Sequence, residues 1–406
     1  MRSLQRAAVA VLLCALTVLG VSAPAAARPD TLILISIDGF RADYLGRGET
    51  PTLSRLAREG VTAPMRPAFP SLTFPNHYTL VTGLWPDHNG IVDNVMVDPV
   101  LGRFTMKDSL DPRWWGEADP LWVTADEQGL RTATMFWPGS DREIDGHRPD
   151  YYRAYDQSVT GDARVDQVLA WLDLPPGQRP TFLTLYFDIV DTMGHRGGPD
   201  SPALNAALRS TDASIARLVD GLAARGALDH TNIIIVADHG MASVSPDRVV
   251  YLDDGISPGA VRLITSGTSA GVVIDPNAPA GTQAALLAPR PHAHCWEKAH
   301  VPPELHYGSN LRIPPIVCLA DVGWMLTTHE LVAQGRGVRE NGAHGYSPAA
   351  PEMAAIFIAH GPAFRAGIAL PAFDNVDVQP LMAKLLGLTV AKGDGTAATF
   401  TPALTP

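Results

Sequence analysis

The chain has 406 residues, 46% of them hydrophobic and 18% charged, which suits one large α/β domain or two smaller ones and argues against general disorder. Its formal net charge is −11; removing residues 1–27 takes away Arg2 and Arg6 and no acid, so the charge becomes −13. An acidic balance of that size speaks against a protein built to hold duplex nucleic acid by neutralising phosphates. It suits instead a protein that gathers carboxylates on cations.

The N-terminus bears on location. Arg2 and Arg6 precede the apolar run Ala7 to Leu19, and Ala25-Ala26-Ala27 supplies a small-residue cleavage site. Residues 1–27 therefore read as a secretory signal peptide, the run being short for a membrane span. With no second long apolar run, the expected mature protein is periplasmic or secreted and keeps no stable membrane anchor. Cys14 leaves with that segment, and Cys295 and Cys318 remain. Two cysteines in an oxidising compartment most simply pair, which would stabilise the fold by about 3 kcal/mol. Two buried free thiols are the alternative.

In chain order, Thr31–Asp38 (TLILISID) is the first run without the alternation of a half-exposed strand, and it reads as a buried parallel strand. Ser54–Gly60 has a helical pattern. The stretch FPSLTFPNHYTL, residues 69–80, is a poor core segment; Pro75 suits the first turn of a helix that would end at Gly83. Arg164–Leu174 is a second helical pattern. Phe182–Asp188 (FLTLYFD) reads as another buried strand, followed by a long helix over Ala203–Arg225 with Gly226 as its stop. Asn232–Asp238 (NIIIVAD) and Ala354–His360 (AAIFIAH) complete four buried parallel strands. Alternating strands and helices predict an α/β/α sandwich on a mostly parallel central sheet. Residues 278–320 are rich in Pro and His and hold both mature cysteines, so they read as a small disulfide-stapled insertion within a single domain spanning 28–395. Residues 396–406 read as a loosely ordered tail.

Several strand ends carry chemistry. TLILISID finishes in Asp38, NIIIVAD leads into Asp238-His239-Gly240, and FLTLYFD is followed shortly by Asp191-Thr192-Met193-Gly194-His195. Gly342-Ala343-His344-Gly345 adds a further glycine-flanked histidine. Ligands of an open α/β sheet bind outside the carboxyl ends of its strands, so these side chains are on the right edge to converge. Mixed Asp/His ligation suits zinc better than calcium or copper(I). Six donors exceed one tetrahedral site and divide naturally into two, each with a position left open. Thr73 then has two readings. It is a helix N-cap worth about 1 kcal/mol, or a hydroxyl activated beside a cation at a helix N-terminus.

The ordered motifs FPSLTFPNHYTLVTGLWPDHNGIVDN, SIDGFRADYL, DTMGH, ADHGM, GAHGY, IFIAHGPAF and FDNVDVQPLMAKLLGL cover nearly the whole mature chain. Together they resemble the nucleotide pyrophosphatase/phosphodiesterases of the alkaline phosphatase superfamily, and in particular the compact bacterial members. The resemblance implies an alkaline-phosphatase-like fold and two Zn2+ ions. One would be held by Asp191, His195 and His344, the other by Asp38, Asp238 and His239 with the Thr73 oxygen. It further implies Thr73 as nucleophile and Asn94, with the Phe74 backbone N–H, as the phosphate clamp. Phe74 and Tyr186 would stack on a nucleobase. His77, four residues beyond Thr73, is read as structural because metal activation makes a triad-style base unnecessary; His88, His147, His292, His294, His300 and His306 are read the same way. Ser347 departs from the family, which usually has Asp after GxHGY.

The implied reaction is hydrolysis of nucleotide 5′-phosphodiester and pyrophosphate bonds through a covalent nucleotidyl-threonine. The alternative substrate is a lipid-headgroup phosphodiester such as a choline lysophospholipid, since aromatic walls also hold a quaternary cation. A phosphomonoesterase fits less well, because the nucleophile segment offers no arginine clamp. A non-catalytic zinc- or nucleotide-binding module would have lost a ligand or the nucleophile, and every implied position is filled.

Overall fold

Leu32, Ile33, Leu34, Ile35 and Ile37 are all fully buried in the strand Thr31–Ile37, which occupies an interior position of the main sheet. A run apolar on both faces can be covered only by helices above and below, and that sets the architecture. The computed structural model describes residues 30–107, 110–337 and 339–406. The proposed signal peptide therefore lies outside the described residues, and no helix among them is long and apolar enough to cross a membrane.

The main sheet has nine strands among the described residues. Its order is Ile368–Ala369, Val61–Arg66, Ala355–His360, Thr231–Val236, Thr31–Ile37, Phe182–Phe187, Thr132–Met135 and Tyr151–Arg153, with Phe373–Asp374 also pairing Val61–Arg66. Thr31–Ile37 lies parallel to both Phe182–Phe187 and Thr231–Val236. Ala355–His360, expected to be parallel, is antiparallel to both its neighbours. An unbroken apolar run reports burial on two faces and carries no information about strand direction.

Two groups of helices pack around the sheet. Pro51–Glu59, Gly161–Leu172 and Ile189–Gly197 all pack on the long helix Pro202–Ala224, whereas Thr73–Thr82 packs on Val378–Leu386. The helices expected from periodicity are thus present, with ends displaced by a few residues.

The expected insertion is part of a larger unit. Ala293–Glu297 and Ile316–Ala320 join Val261–Leu263 and Ser269–Ile274 in a four-stranded antiparallel sheet. This sheet has its own apolar cluster, including Val261, Val272, Leu286 and Ile316. The Pro/His-rich composition covers only part of this unit, whose strands Val261–Leu263 and Ser269–Ile274 precede it. Cys295 and Cys318 face each other in register and form a disulfide. The tail is a correction. Residues Ala397–Ala403 form a 3-10 helix whose Phe400 is fully buried against Phe357 and Phe373. One aromatic anchor orders a segment whose small residues and prolines show no periodicity.

Candidate active site

Thr73 is the first residue of the helix Thr73–Thr82, with Leu72 as its N-cap and no side-chain cap bond. The capping reading of Thr73 is therefore excluded. Pro75 follows in the first turn, where its missing N–H leaves no helical bond unmade. Gly83 closes the helix at φ 67°, its N–H bonding the Thr79 carbonyl. The Thr73 hydroxyl lies 3.4 Å from His239 Nε2.

Around that hydroxyl the strand ends converge as expected. Asp38 directly follows the strand Thr31–Ile37, and Asp238 and His239 follow Thr231–Val236. Asp238 Oδ2 lies 2.9 Å, and Asp38 Oδ1 3.5 Å, from His239 Nε2. Asp191 and His195 are four residues apart on the helix Ile189–Gly197, the spacing that puts two side chains on one face. The third member of their group, His344, is brought in by the short antiparallel pairing of Gly342–Ala343 with Ala242–Ser243. Its Nε2 is 3.6 Å from Asp191 Oδ1 and 3.1 Å from His195 Nε2. The two triads, Asp38/Asp238/His239 and Asp191/His195/His344, each present three donor atoms within 4.8 Å of one another. They are neighbours, since the His239 and His344 rings stack at 3.5 Å. Gly39 has φ 69°, and a Cβ there would lie 3.0 Å from the Asp191 Cα, so the glycine after Asp38 lets the two groups approach.

The donor atoms fit a pair of cations. His195 Nδ1 is 2.9 Å from the Gly342 carbonyl, His239 Nδ1 is 2.9 Å from that of Gly240, and His344 Nδ1 is 2.9 Å from that of Ser71. A carbonyl only accepts, so each Nδ1 carries the proton and each Nε2 lone pair faces the cluster, as in metal-ligating histidines. Asp38 Oδ1, Asp191 Oδ1 and Asp238 Oδ2 are buried and accept no hydrogen bond. Buried carboxylate oxygens are normally paired, so three facing one small volume are donors awaiting a positive charge.

The protonation pattern tells the same story. Burial, reinforced by the charges of Asp238 and Asp191, pushes the Asp38 carboxyl well above its usual range. Burial also raises Asp191. Asp238 is held low despite burial by His239 and His77. Burial and the neighbouring His239 and His195 drive His344 well below an ordinary imidazole. Burial opposes charge on His195, but Glu340 and Asp191 outweigh it and raise the ring to about 9. These conflicting demands on protons are relieved together when cations take the place of the protons.

The remaining expected residues divide. Asn94 Oδ1 accepts the Phe74 backbone N–H at 2.9 Å. That N–H is thus engaged by Asn94 itself, which fixes the orientation of the amide. The Phe74 ring packs against Phe104 and Trp115. Tyr186 is drawn into the metal-site surroundings: its hydroxyl donates to Asp38 Oδ2 at 2.6 Å, and its ring meets His77 and Tyr155 edge-on. Sequence reasoning missed Tyr155, 53% exposed beside Tyr186 and Phe136. Its only signal was an aromatic residue among polar neighbours. His88, His147, His292 and His300 are bonded to local carboxylates, and His306 stacks on Trp85. Ser347 caps a turn by accepting from Ala349 N–H.

Residues 32–347 match the model of the type I phosphodiesterase/nucleotide pyrophosphatase family. The chain is 38% identical over 381 residues to an uncharacterized pyrophosphatase/phosphodiesterase of Schizosaccharomyces pombe, covering 90% of this chain and 79% of that protein. It is 37% identical to a bis(5'-adenosyl)-triphosphatase of Xenopus laevis, covering 96% and 84%. Against the venom phosphodiesterases of Crotalus, also 37% identical, it spans about half of their length. Murine ectonucleotide pyrophosphatase/phosphodiesterase 5, solved as an inactive threonine-to-alanine variant in complex with AMP, superposes with a TM-score of 0.88 at 32% identity, covering 93% of this chain and all of that one. The alkaline-phosphatase-like α/β fold is thereby established, and the chain belongs to the type I phosphodiesterase/nucleotide pyrophosphatase family.

Proposed function

We propose that the protein is an exported two-zinc hydrolase that cleaves nucleotide 5′-phosphodiester and pyrophosphate bonds, with Thr73 as nucleophile. The observation that carries this reading is the Thr73 hydroxyl, 3.4 Å from His239 Nε2 at the edge of two adjoining Asp/His triads whose inward carboxylate oxygens are unpaired. Asp191, His195 and His344 would hold one ion, and Asp38, Asp238 and His239 the other, with the Thr73 oxygen completing its shell. The mixed N/O donor set favours zinc. When bound, such ions offset the charge of phosphoryl oxygens and lower the pKa of a hydroxyl beside them.

Thr73 Oγ1 attacks the α-phosphorus in line; its bond to phosphorus forms as the bond to the leaving oxygen breaks, and the hydroxyl proton passes to solvent. Water then cleaves the nucleotidyl-threonine and the hydroxyl is restored. From a nucleoside triphosphate the products are the monophosphate and pyrophosphate. Asn94 Nδ2 donates to a non-bridging oxygen, and the aromatic rims at Phe74 and Tyr155 offer faces for a base. The inactive threonine-to-alanine variant of the murine relative, solved with AMP, supports a threonine nucleophile and a nucleotide ligand. The disulfide supports an oxidising destination.

The test is Thr73→Ala, assayed on a thymidine 5′-phosphodiester, a nucleoside triphosphate and a phosphocholine ester, with metal content measured in parallel. Turnover should vanish with zinc still bound. Turnover close to wild type removes Thr73 as nucleophile, and a preference of the wild-type protein for the phosphocholine ester moves the substrate to lipid headgroups.

A further inference from the structure

His77 is fully buried, and the proposed chemistry gives it no task. Its Nδ1 is 2.8 Å from the Thr73 carbonyl, and its Nε2 is 2.8 Å from Ser36 Oγ in the central strand. Because the carbonyl only accepts, Nδ1 carries the proton and donates it there, and the Ser36 hydroxyl donates to Nε2. Both ring nitrogens are therefore committed, and neither is left to take a proton from the Thr73 hydroxyl. The ring is held in place edge-on by Trp137 and Tyr186, and Trp137 Nε1 donates to the His77 carbonyl at 3.0 Å.

The carbonyl that His77 grips belongs to the Thr73–Phe74 peptide unit. The N–H of that same unit is the one bonded to Asn94 Oδ1. One peptide plane, immediately after the proposed nucleophile, is thus held at both ends by side chains from different parts of the fold. We propose that His77 is a positioning residue: with Asn94 it clamps the Thr73–Phe74 peptide plane and so fixes the direction of the Thr73 Cα–Cβ bond. The first N–H groups of a helix lack intrahelical partners. Asn94 therefore holds the N–H end of this plane from outside the helix, while His77, one turn further along the same helix, holds its carbonyl end. Ser36 completes the chain of contacts back to the rigid centre of the sheet, which references the hydroxyl to the strand carrying Asp38. This inference rests on Thr73 being the nucleophile.

The two nitrogens can be separated by substitution. In His77→Asn the side-chain amide N–H occupies the Nδ1 position and keeps the bond to the Thr73 carbonyl. In His77→Gln the amide reaches the Nε2 position and keeps Ser36 instead. A misplaced reacting group costs about 10- to 100-fold in rate. His77→Gln should therefore lose about that much kcat with KM within about twofold of wild type, while His77→Asn recovers most of the loss. Zinc content and Tm of the two variants, measured alongside, should fall together. Equal kcat losses in the two variants, tracking a common fall in Tm, would make His77 a packing residue and overturn the proposal, as would wild-type kcat in His77→Gln. If Thr73→Ala retains turnover, the failure lies in the nucleophile assignment and not in the clamp.

Discussion

Tyr186→Phe removes one oxygen atom and leaves the ring, so it separates two roles that sequence reasoning could not. The hydroxyl donates to Asp38 Oδ2 at 2.6 Å, and Asp38 is 2% exposed. Burial and the charges of Asp238 and Asp191 drive the Asp38 carboxyl upward, and the Tyr186 bond is the influence that opposes them. Without it, Oδ2 loses its partner in a place water does not reach, and the carboxyl moves further up. A proton then competes more strongly with the cation for Asp38. Loss of such an outer hydrogen bond typically costs 10- to 100-fold in metal affinity, which is about 1.4–2.8 kcal/mol. The sign with pH follows: competition grows as pH falls, so the deficit should be larger at pH 6 than at pH 8. The assay is competition for zinc with a chromophoric chelator at both pH values, with nucleotide KM measured at saturating metal. KM should change by less than about twofold, because the ring remains. Zinc affinity within twofold of wild type at both pH values would refute the claim that Tyr186 serves the metal ligand.

Two further perturbations reach beyond the metal ligands. Asp87, in the short helix Pro86–Asn89, accepts from the backbone N–H groups of Gly308, Ser309 and Asn310 and from the Ser309 hydroxyl, tying the loop ahead of Ile316–Ala320 to this helix. Asp87→Ala removes the shared acceptor of these part-exposed donors and should destabilise by about 2 kcal/mol; denaturant unfolding checks this, and a change below about 0.5 kcal/mol shows the contacts to be dispensable. Burial pushes the Asp93 carboxyl up to about 7, against the pull of the Val95 and Asn94 N–H groups. A raised folded value means that the stability this group contributes is full below about pH 4 and is lost as pH rises through 7. Asp93→Asn keeps an acceptor for Val95 N–H without the charge. The variant should therefore match wild type in Tm near pH 4 and exceed it at pH 8, and Tm curves that stay parallel across that range would contradict the assignment.

What the sequence made legible follows from which physical signals are local. Asp38, Asp238 and Asp191 could be placed on one edge because a buried strand fixes where its carboxyl end points, and the i, i+4 spacing of Asp191 and His195 fixes a helix face. Those are backbone constraints, and they survived folding intact. Strand direction for Ala355–His360 depends on how the chain returns to the sheet, about which its apolar run says nothing. Phe400 ordered the tail through contacts with Phe357 and Phe373, residues distant in sequence. The site shows the same division more sharply. The resemblance implies that the Tyr186 ring and the Phe74 N–H meet substrate; the bonds of the Tyr186 hydroxyl to Asp38 and of the Phe74 N–H to Asn94 are visible only in the structure. In the sequence His77 reads as structural, and nothing there points to the Thr73 carbonyl that its Nδ1 holds. A motif states which residues are present in a site. How they are held is decided by hydrogen bonds that cross from one segment to another, and within FPNH both the Phe74 N–H and the His77 ring make such bonds, to Asn94 and Ser36.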